Sequence, residues 1–322
     1  MKIASLLFFL ALVHPAAADN IELSSPISCK IGVACWIQQY VDHDTGTGAK
    51  DYACGPQTYD GHDGTDFRLQ DTKDDAKVLA SAPGIVKAVR DGMVDNLIVN
   101  DVDRAAVKDR ECGNGVVIDH VGGWQTQYCH MRNGSISVKA GDQVLRDAQL
   151  GMVGFSGMAA FAHVHLTVRH DGKIIDPFDT QNTSQCGLNQ PSLWTTEARK
   201  QFKYAKADLI GFGFSPTKIE LSDLTTGKIG QIAPERDWPA LVVYGWAINL
   251  KRGDKINVSF FGPENISIQN SVTLDRNKAQ YLLFAGKKPK GNQWPAGNYR
   301  GHFEVSRGNA SIIAKDWFAT LK

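Results

Sequence analysis

The chain has 322 residues, of which 35 are basic and 34 acidic, and 43% of its residues are hydrophobic. This balance of charge argues against a nucleic-acid partner and against an anionic membrane surface as partner. The length exceeds what one modest hydrophobic core usually holds, so two domains are expected.

The first 18 residues have the pattern of a secretory signal peptide. Lys2 precedes an apolar run over residues 3–13, and Ala16-Ala17-Ala18 offers an A-x-A cleavage site. The apolar run is too short to cross a bilayer, and no later segment approaches the length that crossing needs. We therefore predict an exported chain, periplasmic or secreted, that is cleaved near Ala18.

Six cysteines, an even number, favour disulfide bonds in an exported chain. All of them lie before residue 190, so this part of the chain differs from the remainder. A structural zinc cluster is disfavoured because no C-x-x-C pair is present. Cys112 and Cys129 lie near opposite ends of one expected hairpin, so a bridge between them is predicted, and the other pairings stay open.

Residues 20–180 alternate short strand-like runs with glycine-rich turns, and helical periodicity is weak. This sequence pattern predicts a mainly β chain that begins with a compact antiparallel domain over residues 19–190. Residues 91–111 interrupt this alternation of strands and turns because they are rich in charged side chains. Such a stretch is usually a solvated loop. The alternative is that these residues line a groove.

Residues 191–204 are predicted to be a linker, with a short helix that Thr195 or Thr196 caps and that ends at Phe202. Residues 205–322 contain about seven strand patterns without cysteine, which predicts a β-sandwich of immunoglobulin type. Its aromatic residues are expected to pack in the core and the sheets rather than form a ligand platform. They are Trp246, Phe260, Phe261, Tyr299, Phe303 and Trp317.

Four histidines and one aspartate form the pattern that carries the chemistry. His62 and Asp66 lie in one short segment, His163 and His165 in another, and His130 lies between them. The spacing within each pair is even, so on a β-strand each pair projects from one face. Imidazoles and a carboxylate that converge on one point, with a spare base nearby, are what a catalytic zinc site needs. The pattern therefore predicts a zinc site on the floor of a sheet.

The segments around these residues resemble, in order, those of the LytM/lysostaphin-like zinc endopeptidases, the M23 family. Gly61-His62-Asp63-Gly64-Thr65-Asp66-Phe67 matches the family's H-x-G-x-D-F segment, and Ala162-His163-Val164-His165-Leu166 stands where the family has P-H-L-H-F. Between them, Tyr128-Cys129-His130-Met131 is similar to Y-x-H-L. The closing V-D-P is matched by Ile175-Asp176-Pro177, and the resemblance covers residues 60–179.

This resemblance implies an antiparallel LytM-type domain that binds one Zn²⁺ per chain through His62, Asp66 and His165. It implies that His130 and His163 are the catalytic pair, which handles protons and the charge that develops on the substrate. The implied activity is that of an exported zinc metalloendopeptidase, which hydrolyses peptide cross-links of bacterial peptidoglycan. The peptide stems of peptidoglycan would be its substrate.

Several alternatives stay open. A catalytically inactive LytM-like domain would instead activate other cell-wall hydrolases, although all five expected positions are filled here. A cupin-type barrel also uses H-x-H, but there it normally precedes the other ligands, whereas here it comes last. Tyr52 and Tyr59 are both candidates for the tyrosine that some relatives place near the oxyanion. The hypotheses for the role of residues 205–322 are glycan contact, protein contact and stabilisation. For residues 19–60, the hypothesis is that they cover the groove.

Overall fold

The computed structural model describes residues 21–181, 186–230 and 232–322, so the predicted signal peptide lies outside the described residues. Strands dominate this part of the chain, and all pairings between named strands are antiparallel. The predicted mainly β, antiparallel fold is thereby confirmed. Among the helices described, none combines the length and the apolar character that a membrane crossing requires.

Ten strands lie within residues 35–174. They are β1 (Cys35–Gln39), β2 (Thr65–Leu69), β3 (Lys77–Leu79), β4 (Gly84–Arg90), β5 (Asn114–Asp119), β6 (Trp124–Met131), β7 (Gln143–Val144), β8 (Gln149–Met152), β9 (His163–His170) and β10 (Lys173–Ile174). The main sheet has the order β1-β2-β9-β6-β5-β4-β7, with β10 also paired to β9, and β3 pairs with β8 separately. Strands β2, β9 and β6, which carry most of the predicted site residues, are therefore neighbours.

Strand β9 shows why the sequence forms this sheet. Val164, Leu166 and Val168 point into the hydrophobic core, which also contains Phe67 from β2 and Tyr128 from β6. Because side chains alternate along a strand, His163 and His165 project from the opposite face. One face of the sheet thus packs the core, and the other presents polar groups.

Three disulfide bonds connect this part of the chain: Cys29–Cys35, Cys54–Cys186 and Cys112–Cys129. The third confirms the predicted bridge. It joins the residues before β5 to β6, on either side of the short turn between these strands.

The prediction that residues 91–111 form a solvated loop is only partly right. They contain helix α1 (Asp101–Ala106), which is exposed, but the segment before it is fixed against the loop that leads to β9. Asp95 accepts hydrogen bonds from the backbone N–H groups of Phe155, at 2.8 Å, and Asn133, at 2.9 Å. Ile98 is buried, and its N–H donates to the carbonyl of Ala159 at 2.9 Å. These contacts hold residues 95–98 in place, and the groove-lining alternative stays a prediction.

The connector contains helix α2 (Thr196–Gln201), and the hydroxyl of Thr195 accepts a hydrogen bond from the N–H of Ala198. This confirms the predicted short helix and selects Thr195 as its cap. Helix α3 (Leu221–Thr225) lies further along the chain.

Seven strands follow the connector: β11 (Asp208–Ser215), β12 (Leu241–Leu250), β13 (Lys255–Gly262), β14 (Ile266–Thr273), β15 (Lys278–Lys287), β16 (Gly297–Arg307) and β17 (Ala310–Leu321). They form two sheets, β11-β12-β15 and β14-β13-β16-β17, which share one hydrophobic core. The domain boundaries themselves stay a prediction.

The expectation that the aromatic residues of this region pack in the core and the sheets holds for Trp317, which is partly buried against the core, and is wrong for Phe261. Trp246, Phe260, Tyr299 and Phe303 are buried as expected. Phe261 follows Phe260 on β13 and therefore points to the outer face of the four-stranded sheet, where it is 44% exposed.

Arg68 of β2 connects the two parts of the chain. It is fully buried, and its guanidinium lies 4.6 Å from the ring centroid of Phe161 and 5.0 Å from that of Trp246 on β12. It also donates to the amide oxygens of Gln38 and of Gln280 on β15. Residues 205–322 thus pack against the strand that carries Asp66, which supports a structural role for them.

Candidate metal centre

Asp66 and His165 are brought together by the pairing of β2 with β9, in which they stand directly opposite each other. The Asp66 Oδ1 atom lies 2.9 Å from His165 Nδ1. His62 belongs to the turn before β2, and its Nδ1–H donates to the carbonyl of Tyr40 at 2.7 Å. This bond directs the other ring nitrogen, Nε2, toward the pair, at 3.2 Å from both Asp66 Oδ1 and His165 Nδ1.

These three buried side chains fit a zinc ion. Their ligand atoms all lie within 4.8 Å of one another, and the contacts between them measure 2.9–3.2 Å. Tetrahedral zinc with ligand bonds of about 2.0–2.1 Å places neighbouring ligand atoms about 3.3 Å apart, so only a small expansion is needed. Two imidazoles and one carboxylate leave the fourth position open, as in catalytic zinc sites.

His163 and His130 lie beside this group. The ring centroids of the two residues are 4.5 Å apart, and His163 Nε2 is 3.6 Å from Asp66 Oδ1. His163 Nδ1–H donates to the carbonyl of Phe161, and His130 Nδ1–H donates to that of Ser156, both at 2.8 Å. Because carbonyl oxygens can only accept, these bonds place the proton of each neutral ring on Nδ1 and leave Nε2 as a proton acceptor.

His130 reaches the site through an irregularity of β6. The register between β5 and β6 shifts between Asn114 and Val116, which leaves one additional residue on β6. His130 has a positive φ of 62°, a conformation that non-glycine residues rarely adopt. Such bulges often re-aim a side chain at a functional site, and here the bulge directs the imidazole of His130 toward His163.

Burial and charge set the protonation of the site. Burial lowers the pKa of His163 and lowers that of His130 well below its usual value, so both are neutral at pH 7. Burial acts to raise the pKa of Asp66, but its interactions with the neighbouring imidazoles of His62, His163 and His165 outweigh burial and hold that pKa well below its usual range. Hydrogen bonds that the His165 ring donates to the carboxylates of Asp63 and Asp66 outweigh burial and raise the pKa of His165 to about 9. A metal ion would therefore compete with a proton at His165.

All five residues predicted from the sequence meet at this place, and two further residues join them. Of the two candidate tyrosines, Tyr59 lies at the site, with its ring centroid 4.6 Å from that of His62. Tyr52 is instead buried in an aromatic cluster with Tyr40. Asp63 was not predicted: its Oδ1 lies 3.0 Å from His165 Nε2. It occupies a variable position of the H-x-G-x-D-F segment, and no spacing rule identifies it.

Comparison with known proteins gives one family match and several similar solved structures. Residues 60–177 match the family description "Peptidase family M23". The chain is similar to the SpoIIQ–SpoIIIAH pore-forming complex, with 20% identity over 49% of this chain and 90% of that chain and a TM-score of 0.35. It is similar to a mutant catalytic domain of the prophage-encoded M23 protein EnpA from Enterococcus faecalis (25% identity, 43% of this chain, 95% of that chain, TM-score 0.29). It is also similar to the catalytic domain of lysostaphin from Staphylococcus simulans (20%, 43% and 85%, TM-score 0.28).

Proposed function

Since residues 60–177 form a domain of peptidase family M23, we propose that the chain is an exported zinc metalloendopeptidase that hydrolyses the peptide cross-links of bacterial peptidoglycan. The observation that carries the proposal is the convergence of His62, Asp66 and His165 beside a second pair of buried histidines. The family supplies the substrate class, and the site supplies the chemistry. Periplasmic or secreted localisation follows from the pattern of the first 18 residues.

His62, Asp66 and His165 would hold one Zn²⁺ per chain. When bound, Zn²⁺ polarises the scissile carbonyl and makes water a strong nucleophile near neutral pH. His163 is neutral and presents an unprotonated Nε2 beside Asp66, so it is placed to take the proton of the attacking water. As a neutral ring, His130 also accepts rather than donates at Nε2. A proton gained by the pair can then pass to the leaving amine.

Residues 205–322 are proposed to contact the glycan strands of the same substrate, with a protein partner as the alternative. Phe261, Arg300 and Phe318 form one cross-strand row on the outer face of the four-stranded sheet. The two phenylalanines are 44% and 74% exposed, and a charged residue separates them. Phenylalanine and arginine are both enriched at interfaces, so this row has the composition of a contact surface, for which glycan is the proposed ligand. Reduced co-sedimentation of Phe318→Ser with peptidoglycan, relative to the wild type, is the expected result.

The proposed activity is tested by mass spectrometry of the products from purified peptidoglycan. The zinc-loaded full-length chain is expected to release new peptide amino groups and to convert cross-linked muropeptides into uncross-linked ones, with the glycan strands intact. His165→Ala, which lacks one proposed ligand, is the control and should release none. Equal products from both proteins would contradict the proposal. Absence of products from both would favour the alternative, a catalytically inactive domain that activates other cell-wall hydrolases.

A further inference from the structure

The side of His165 that faces away from the proposed metal position has its own hydrogen-bond partners. Its Nε2 lies 3.0 Å from Asp63 Oδ1 and 3.1 Å from Thr167 Oγ1. The other ring nitrogen, Nδ1, is the one that meets His62 and Asp66. Because a carboxylate only accepts, Asp63 requires the proton of the neutral imidazole on Nε2 and thereby leaves Nδ1 with its lone pair for a metal ion.

Asp63 is itself held from the other side. Its Oδ2 lies 3.7 Å from Arg169 Nη2, and Arg169 Nη1 donates to the amide oxygen of Gln127 at 2.8 Å. The amide nitrogen of Gln127 lies 3.3 Å from the sulfur atoms of both Cys112 and Cys129. A continuous series of contacts therefore runs from His165 to a disulfide bond on the neighbouring strands.

Gly64 makes the approach of Asp63 to His165 possible. A Cβ atom at position 64 would lie 2.4 Å from His165 Nε2 and 2.6 Å from the carbonyl oxygen of Leu166. Both neighbours belong to β9, and the carbonyl is backbone that cannot move aside. Any larger residue at this position would therefore displace the ring that Asp63 orients.

We propose that Asp63 is a positioning residue of the metal centre, which fixes the tautomer and the ring orientation of His165, and that Arg169 holds Asp63 in place. This inference rests on the proposed function, because it assumes that His165 is a zinc ligand. Metal-binding histidines usually donate their second ring N–H to a carboxylate or a carbonyl, and loss of that partner weakens metal binding about 10–100-fold. His62 meets the same requirement through the carbonyl of Tyr40.

Zinc affinity, measured by competition with a chromophoric chelator, tests this proposal without any assay of activity. Asp63→Ala is expected to bind zinc about 10–100-fold more weakly than the wild type. Asp63→Asn keeps an oxygen acceptor and should lose less, and Arg169→Met should weaken binding in the same direction. The matched control is Asp60→Ala, which removes an exposed carboxylate from the same turn.

Asp63 is partly exposed, so its variants are expected to fold, and circular dichroism checks this. Wild-type affinity in folded Asp63→Ala, or an equal loss in Asp60→Ala, would overturn the role of Asp63. That result differs from failure of the proposed function, which would appear as absence of stoichiometric zinc in the wild type itself.

Discussion

Replacing His163 with alanine is expected to slow peptide-bond hydrolysis by about 10²–10⁴-fold, the contribution of a positioned proton-transfer residue, while zinc stays bound. The geometry explains why activity should fall while the zinc content stays the same. His163 pairs with Arg68 across the strands, two residue pairs away from Asp66 and His165. Its Nε2 is 3.6 Å from Asp66 Oδ1, whereas the ligand atoms themselves are 2.9–3.2 Å apart.

His170 provides the matched control because it lies at the other end of the same strand. Its ring stacks on Trp124 with a centroid distance of 4.3 Å, away from the metal centre. His170→Ala should therefore keep both zinc and activity. Initial rates and zinc content, measured on the same samples, check this prediction. Loss of zinc together with activity in His163→Ala would make this residue a ligand and contradict its assignment as a base.

Removing the disulfide bond between Cys54 and Cys186 is expected to cause a large loss in the free energy of unfolding. Its sequence separation of 132 residues restricts the unfolded chain far more than the separation of 6 between Cys29 and Cys35. In the chain-entropy description, removing the long-range bond should lower the free energy of unfolding by about 5 kcal/mol, against about 2 kcal/mol for the short one. Urea denaturation of the two double-alanine variants, under non-reducing conditions, measures both values. Equal losses would show that loop length does not govern the stabilisation.

Much of the site could be predicted because its residues lie on strands whose side-chain alternation is visible in the sequence. Even spacing placed His163 and His165 on one face, and the ordered motifs assigned Asp66 to the same site as His165. The bridge between Cys112 and Cys129 followed from the same hairpin reasoning and is present. In these cases the local pattern and the final structure depend on the same backbone geometry.

The features that could not be predicted depend on how two strands meet. The bulge that re-aims His130 arises from a mismatch between β5 and β6, which neither strand reveals alone. Asp63 gains its contact with His165 only after β2 and β9 pair, across 102 residues of sequence. The exposure of Phe261 depends on which of two adjacent phenylalanines faces the core, and the register of β13 with β16 decides this.

His62, Asp66 and His165 are proposed to bind the zinc ion that catalysis requires. The most direct measurement is the rate at which the metal-free chain releases new amino groups from peptidoglycan as Zn²⁺ is added. The rate should rise until one zinc ion per chain is present and then stay constant, and Asp66→Asn should show no such rise. No release at any zinc concentration would contradict the account, as would a wild-type rate that does not depend on zinc.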